Sequence, residues 1–553
     1  MGQRIAAVQP DGDLSCATAS QKQCRERGKS TASAKQWHTE EVTPIVKHYA
    51  QLLPPEESSP KPRHAHLVGI SGAGMGALAD VLLGMGWRLS GSDLLPEASR
   101  RLEAAGVRLY AGHAAAHLPS HADLVVASSA VPAENPEIRR AAQLGIPVLT
   151  YFQMLGRLME GKRGLAVAGT HGKSTTTAMA AQILHEAGRD PTVVFGATPI
   201  GASSGGRAGR DDIFLVEACE YLANFLHLRP QQAVLLGIEP DHFDCYDTSE
   251  ALERAFAQFA ARTARDGLLL VRHDCPAARR IAASLACRVE TFGIQCGADW
   301  TARNLRAWRG CYRFELSVRG QPLGRVDLRI PGRHNVLNAL AAAALAYANE
   351  ASPEQILRGL KCFRGLHRRL ETLGTWGGVR LIDDYAHHPT EVTASLAAVR
   401  AMEPRARVWC VFQPHQASRT ARLLDELAES LQNADRVLVA DIFRAREGPP
   451  QPGEVTAADL ARRVCKLKGR PGSRLGTVPI FRAPCAEHGR RKWDCPPPKC
   501  SEPVPDLHAT KEIEQFLMTQ LTPGDVLVTM GAGDIGRIGY GIMDRFRKDR
   551  AAG

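Results

Sequence analysis

Gly164-Leu-Ala-Val-Ala-Gly-Thr-His-Gly-Lys-Ser-Thr-Thr-Thr177 decides the fold of this chain. Its apolar run, Leu165 to Ala168, predicts a buried strand, and Gly169-Thr170-His171-Gly172 a tight loop. Lys173-Ser174-Thr175-Thr176-Thr177 then opens a helix expected to continue to Ala187. Strand, glycine loop and helix in that order make a phosphate cradle: glycines let backbone N–H groups turn toward phosphate oxygens, and the helix N-terminus adds partial positive charge. Lys173 can reach terminal phosphates, and the Ser174 hydroxyl can ligate Mg²⁺. The general Walker pattern is only half met, because its first glycine falls on Val167; Gly172-Lys173-Ser174 is the regular part. Alone, that tripeptide also fits a polar helix start after a buried strand, so the rest of the chain has to decide.

At 553 residues the chain exceeds one core, and its length suggests about three or four domains. Apolar content of 44% and charged content of 23% are those of a globular protein. The net charge of +11 permits acidic partners. Its basic residues are scattered and not interleaved with aromatics, which indicates a solvated surface and an anionic small substrate, and no nucleic acid. No apolar run approaches the roughly 20 residues of a membrane helix, and the first residues lack the apolar core of a secretory signal. Most of the fourteen cysteines stand singly in apolar or helical surroundings (Cys219, Cys287, Cys362, Cys410), as reduced thiols of a cytoplasmic enzyme do.

Outward from the phosphate loop, the chain divides into an N-terminal extension over 1–63, expected to be disordered, and three α/β domains over 64–160, 161–364 and 365–553. The first opens with His64-Ala-His-Leu-Val-Gly-Ile-Ser-Gly-Ala-Gly-Met-Gly76, then a helix over Leu78–Met85 and a strand ending at Ser92-Asp93. An acidic residue about 20 positions after a glycine turn is the layout of a Rossmann-like half. Gly161-Lys-Arg-Gly164 reads as a linker. In the central P-loop domain, Ile213-Phe-Leu-Val-Glu217-Ala-Cys-Glu220 and Ala233-Val-Leu-Leu-Gly-Ile-Glu-Pro-Asp-His242-Phe-Asp244 are strands delivering carboxylates and an imidazole at their C-terminal ends. Ligands of open α/β sheets bind at those ends, so three strand ends are expected to share one site. Hard oxygens beside a phosphate loop favour Mg²⁺. Pro331-Gly-Arg-His334-Asn335-Val-Leu-Asn338 opens an Ala-rich helix whose first-turn polar groups would meet a base or cap the helix.

The third domain, again Rossmann-like, starts near Phe363-Arg-Gly-Leu-His-Arg368-Arg369-Leu-Glu371. Leu381-Ile-Asp383-Asp384-Tyr385-Ala-His387-His388-Pro389-Thr-Glu391 follows, then the strand Val408–Phe412, Gln413-Pro-His415-Gln416-Ala-Ser-Arg419-Thr420 and one long helix. A Pro-, Arg- and Cys-rich insert near 466–503 interrupts it. Cys485, His488, Cys495 and Cys500 there lack the paired spacing of a zinc site, and a surface loop is the favoured reading.

Taken together, these segments resemble the Mur ligase family from about residue 64 to 553, apart from the insert. The resemblance rests on the phosphate loop, Glu217-Ala-Cys-Glu220, Asp241-His242-Phe-Asp244, His334 to Asn338 and Asp383 to Glu391. The Gly-Ala-Gly-Met opening and the double histidine are similar to the branch that adds alanine, with a branch that recycles ready-made peptides as the alternative. A nucleotide-binding scaffold without catalysis is the rival from another class. The resemblance implies ATP and Mg²⁺ as cofactors, and UDP-N-acetylmuramate and L-alanine as substrates. By position, Gly169, Thr170, His171, Gly172, Lys173, Ser174 and Thr175 would cradle ATP, with His334 and Asn338 at the adenine and Asp384 and Tyr385 at the ribose. Ser174, Glu217 and His242 would hold metal. Gly72, Ala73, Gly74, Met75, Ser92 and Asp93 would bind the UDP sugar. His387 and Arg419 would face the alanine, with His387 able to take its proton, and Arg369 would face the phosphoryl group in flight. Ser71, Cys219, Gly237 and Gln416 depart from the family pattern.

Overall fold

Short apolar runs bounded by glycine and polar residues become strands buried on both faces, and parallel sheets require that pattern. The computed structural model describes residues 63–295, 297–467 and 510–552. The extension before residue 63 and the four proposed zinc ligands of the insert lie outside them.

The described residues form three sheets. The first has five parallel strands in the order Arg108–Ala111, Arg88–Asp93, His64–Val68, Leu124–Ala127, Val148–Thr150. The second has ten strands, with Gln232–Leu235, Arg163–Ala168 and Ile213–Glu217 adjacent and parallel at its centre. The third has five, in the order Glu371–Trp376, Val379–Asp384, Val526–Met530, Val408–Phe412, Arg436–Val439, with only the first strand antiparallel. Crossover helices cover the faces, as parallel pairing demands.

Four local expectations need correcting. The first helix begins at Ala73, not Leu78. Gly74 and Gly76 thus lie inside it, and a side chain at Gly74 would press on the Tyr151 ring at 3.1 Å. The strand before the phosphate loop starts at Arg163, so the linker to the preceding helix Tyr151–Met159 is shorter than expected. Gly164 sits inside that strand because the Met159 thioether occupies the space of a Cβ. The expected long helix after Gln416 is two, Ala417–Arg422 and Leu424–Ser430, broken at Leu423, whose φ of −115° is not helical.

The fourth concerns the antiparallel strands Trp300–Trp308, Cys311–Val318 and Gln321–Asp327, which extend the second sheet and were not anticipated. Their two-residue loops, Arg309-Gly310 and Arg319-Gly320, have positive φ at both positions, as the tight hairpin turn requires. An Arg at the first position hides that signal, which Asn or Asp would have advertised.

The helix Lys173–Glu186 is clamped between His334–Tyr347 and Pro353–Cys362. Gly359 makes the second contact possible: a Cβ there would stand 2.7 Å from Ile183 Cα, a backbone atom that cannot step aside. Gly359→Ala is therefore expected to destabilise the fold by about 1–3 kcal/mol through overpacking, read as a lower thermal unfolding midpoint.

Candidate functional site

The C-terminal ends of the three central strands lie side by side, and the phosphate loop crosses them. Gly169, at φ +136°, lets the chain pass within 2.9 Å of where its Cβ would meet Leu236. Thr170 laces the loop down: its N–H donates to Gly237 O at 2.9 Å and its hydroxyl to Glu239 O at 3.1 Å. Gly172, at φ +82°, precedes the helix, and a side chain there would collide with Asn338 Oδ1 at 2.4 Å.

Lys173 does not reach outward. Its ammonium donates to Gly169 O (2.6 Å), Thr170 O (3.0 Å) and both oxygens of Glu220 (2.9 and 3.0 Å). Burial opposes both charges, but each outweighs that for the other: Glu220 holds the lysine above its ordinary value, and Lys173 holds the carboxylate below its own. Ser174 donates its hydroxyl to Glu217 at 2.9 and 3.0 Å, and Gly196 N–H also points at that carboxylate. The carboxylate against His242 is Glu220, at 3.3 Å, rather than Glu217 as expected. A hydroxyl and a carboxylate facing each other are hard donors that fit Mg²⁺.

One cavity gathers His171, Gly172, Thr175, His334, Asn338, Arg369 and Asp384. Here His334 is held down at about 4 by burial, and its Nδ1 is buried without a partner, so a neutral ring is offered to a ligand. Asn335 does not cap the helix; its amide donates to Pro331 O at 2.6 Å and its Oδ1 accepts from Asn338. Burial pushes Asp384 up to about 6. Tyr385 lies off this lining, its ring covered by the guanidinium groups of Arg368 and Arg369 at 5.1 and 4.8 Å.

Beside the cavity, the central and C-terminal sheets meet through charged groups, of which Asp241, His415 and Glu391 had no assigned role in the sequence. Arg419 is 3% exposed and committed to Asp241, with Nε at 2.9 Å and a terminal nitrogen at 2.6 Å. Its other terminal nitrogen faces His415 Nδ1 at 2.9 Å. An alanine carboxylate would have to compete for this guanidinium. Burial, opposed by Glu391 and aided by Arg419, brings His387 down to about 4. It does not titrate near neutral pH as expected. Its Nδ1–H donates to Tyr385 O, leaving Nε2 as a neutral acceptor. Glu391 links Arg369 (3.9 Å) with His171 (3.1 Å). The spacing from His388 to Glu391 is a capping box, which was the available signal.

Two residues expected to touch the UDP sugar do not present side chains. Met75 is packed in the core, and Ser92 is fully buried with its hydroxyl donated to Glu137 at 2.6 Å. Glu137, itself buried, also takes His66 at 3.0 Å. Asp93 accepts from Ser71 N–H at 2.9 Å, which ties the glycine turn to the next strand. Gly72 precedes the helix that Ala73 opens, so backbone groups are what that turn offers a ligand. Gly237 leaves room beside Arg272, Cys219 is pushed up to about 12 by burial, and Gln416 takes φ +64° with its N–H on Phe443 O.

Comparison with known proteins gives three consecutive family matches: the Mur ligase family catalytic domain over residues 64–163, the Mur ligase middle domain over 167–346, and the Mur ligase glutamate ligase domain over 368–533. The UDP-N-acetylmuramate–L-alanine ligase of Salinibacter ruber is 39% identical over 489 residues, 88% of this chain and 96% of that protein. Among solved structures, the UDP-N-acetylmuramate-alanine ligase of Thermotoga maritima has a TM-score of 0.70 at 24% identity, over 88% of this chain and 99% of its own. A murein peptide ligase from Psychrobacter arcticus has a TM-score of 0.64 at 25% identity, over 88% and 98%.

The buried imidazoles set a pH dependence. His334 and His387, each near 4 when folded, have lower pKa values than the roughly 6.5 of an unfolded chain. Their contribution is present above that unfolded value and is lost as pH falls from there toward 4. His171 runs the other way: burial opposes its charge, but Glu391 and Glu239 hold it up at about 9. Its contribution is full below the unfolded value and is lost as pH rises through 9. Denaturant titrations should place maximal stability near neutrality, with a loss on the order of 2 kcal/mol per lowered histidine between pH 6.5 and 5.

Proposed function

The chain belongs to the Mur ligase family, and on that premise we propose the activity, site roles and location that follow. It is an ATP-dependent ligase of peptidoglycan precursor synthesis, joining L-alanine to the lactyl carboxylate of UDP-N-acetylmuramate in the cytoplasm. Among the described residues no helix is long and apolar enough to cross a membrane. The observation that carries the reading is the start of the helix Lys173–Glu186. There Lys173 and Ser174 each face a strand-end carboxylate, beside a cavity shared by His334, Asn338, Arg369 and Asp384.

Joining an amine to a carboxylate in water is uphill, so the carboxylate is first activated. The ATP γ-phosphate passes to the lactyl oxygen, giving an acyl phosphate and ADP; the alanine nitrogen then attacks the acyl carbon and phosphate leaves. The chain's task is positioning and charge neutralisation. Loop N–H groups and Lys173 cradle the phosphates, and the lysine exchanges part of its contact with Glu220 for them. Ser174 and Glu217 would hold Mg²⁺, with His242, set beside them against Glu220, as the third member of the set. When bound, the ion neutralises phosphate charge. His334 and Asn338 meet the adenine, Asp384 the ribose, and Arg369 the transferring phosphoryl group. His387, neutral near pH 7, accepts a hydrogen bond from the amine and orients it. The first sheet and its helices take the UDP group through the backbone at Gly72–Gly74 and through Asp93.

Removing Lys173 alone would strand a buried carboxylate, so the informative variant is Lys173→Met with Glu220→Gln, which keeps the buried charge balanced. It should lower kcat by at least about a hundredfold while the thermal midpoint stays close to that of the parent. Near-normal turnover would refute the phosphate-loop assignment. His242→Ala should raise the Mg²⁺ concentration needed for half-maximal rate; an unchanged requirement removes His242 from the metal set. Incubation with ATP, Mg²⁺, UDP-N-acetylmuramate and either L-alanine or the ready-made tripeptide, followed by mass measurement of the product, separates the alanine-adding activity from the peptide-recycling one. The likeness to a murein peptide ligase makes the second arm necessary.

A further inference from the structure

His171, Glu239 and His388 come from three separate segments: the phosphate loop, the chain after the strand Gln232–Leu235, and the residue preceding the helix Pro389–Met402. One ligand atom from each lies within 4.8 Å of the other two. His171 Nε2 is 3.5 Å from Glu239 Oε2, and His388 Nδ1 is 4.0 Å from the same oxygen. None of the three belongs to the Ser174–Glu217 pair. From this arrangement we propose a second, transition-metal site: a Zn²⁺-type divalent cation held by His171 Nε2, His388 Nδ1 and Glu239 Oε2, with an open fourth position.

The hydrogen bonds around the cluster leave His171 Nε2 without a partner and hold the other two ligand atoms only through Thr390 and the capping box. His171 Nδ1–H donates to Glu391 Oε1 at 3.1 Å, and its Nε2 is buried without a hydrogen-bond partner. His388 Nε2–H donates to Pro240 O at 3.2 Å, so Nδ1 carries the lone pair, which faces Thr390 N–H at 3.3 Å and the Glu391 N–H of the capping box. Thr390 donates its hydroxyl to Glu239 Oε2 at 2.6 Å, so that oxygen would bind the ion through its remaining lone pair. Every ligand is thus oriented by an outer partner, a carboxylate and a backbone carbonyl for the two imidazoles. Metal-binding histidines are positioned by partners of these kinds.

Two imidazoles and one carboxylate suit a borderline-soft ion better than Mg²⁺, which prefers oxygen. Tetrahedral zinc at its usual bond lengths sets ligand atoms about 3.4 Å apart. The His171–Glu239 pair is already at that spacing, and the other two close by small side-chain rotations. Entry of the cation sends to solvent the proton that His171 shares with its carboxylates. The ion then ties the phosphate loop to the helix of the third sheet.

The test is equilibrium dialysis of the full chain against Zn²⁺ in excess Mg²⁺, with metal counted per chain. His388→Asn removes the imidazole and keeps a good helix-capping side chain; Glu239→Gln keeps the Thr390 contact. Each should lose one equivalent of zinc present in the parent, and Glu391→Gln should weaken that equivalent by about 10- to 100-fold. Cys485→Ser and Cys495→Ser should leave it in place. Loaded with Co²⁺, parent minus His388→Asn should give visible bands without thiolate charge transfer. The proposal fails if both ligand variants bind as much zinc as the parent, if the lost equivalent follows the cysteines, or if the cobalt difference spectrum is featureless. Because these readouts are binding and not turnover, their failure leaves the ligase reading standing, and the reverse also holds.

Discussion

A buried ammonium facing a buried carboxylate, Lys173 against Glu220, is the constraint on which the rest of the molecule depends. Neither charge is tolerable in that interior alone, and breaking such a pair costs about 3–5 kcal/mol. The pair sits where a strand becomes a loop and the loop a helix. Satisfying it ties the helix start after the central strand Arg163–Ala168 to the chain just past the end of its ladder neighbour Ile213–Glu217. The loop carbonyls of Gly169 and Thr170 complete the lysine's coordination, so the same ammonium also ties down the loop.

Outward from that pair, a run of polar contacts joins the central and third sheets. Asp241 with Arg419, Glu239 with Thr390, Pro240 O with His388, and His171 with Glu391 all cross between them. Burial with good geometry gives such contacts direction, whereas apolar contact would hold the surfaces in many arrangements. The cavity beside the phosphate loop is closed on one side by this seam. Rotation of the third sheet relative to the second would therefore break charged contacts and open the cavity together, a coupling suited to a reaction whose acyl phosphate must be kept from water.

Much of this was legible in the residues. The apolar runs at Leu165–Ala168, Ile213–Val216 and Val408–Phe412 are strands close to where periodicity put them. The resemblance implied a shared ligand for Gly172, Thr175, His334, Asn338, Arg369 and Asp384, and these residues line one cavity. Other features were not legible. The resemblance implies ligand contacts at Met75 and Ser92, but helix onset at Ala73 turns one inward and Glu137 consumes the other. His387 reads as a group titrating near neutrality, and only its burial beside Arg419 brings it down to about 4. The hairpins at Arg309-Gly310 and Arg319-Gly320 carry arginine where a turn is usually announced by Asn or Asp.

The sequence by itself determined the parallel sheets, the phosphate loop and the kinship to the Mur ligases, because each depends on residues close together in the chain: apolar runs, glycine spacing, a lysine and a serine at a helix start. Only the tertiary structure decided which charges face which. It gave Glu220, not Glu217, to His242, committed Arg419 to Asp241, and brought His171, Glu239 and His388 together from three segments. Electrostatic partnership is fixed by distance and burial, and neither quantity exists along the chain until the sheets have packed.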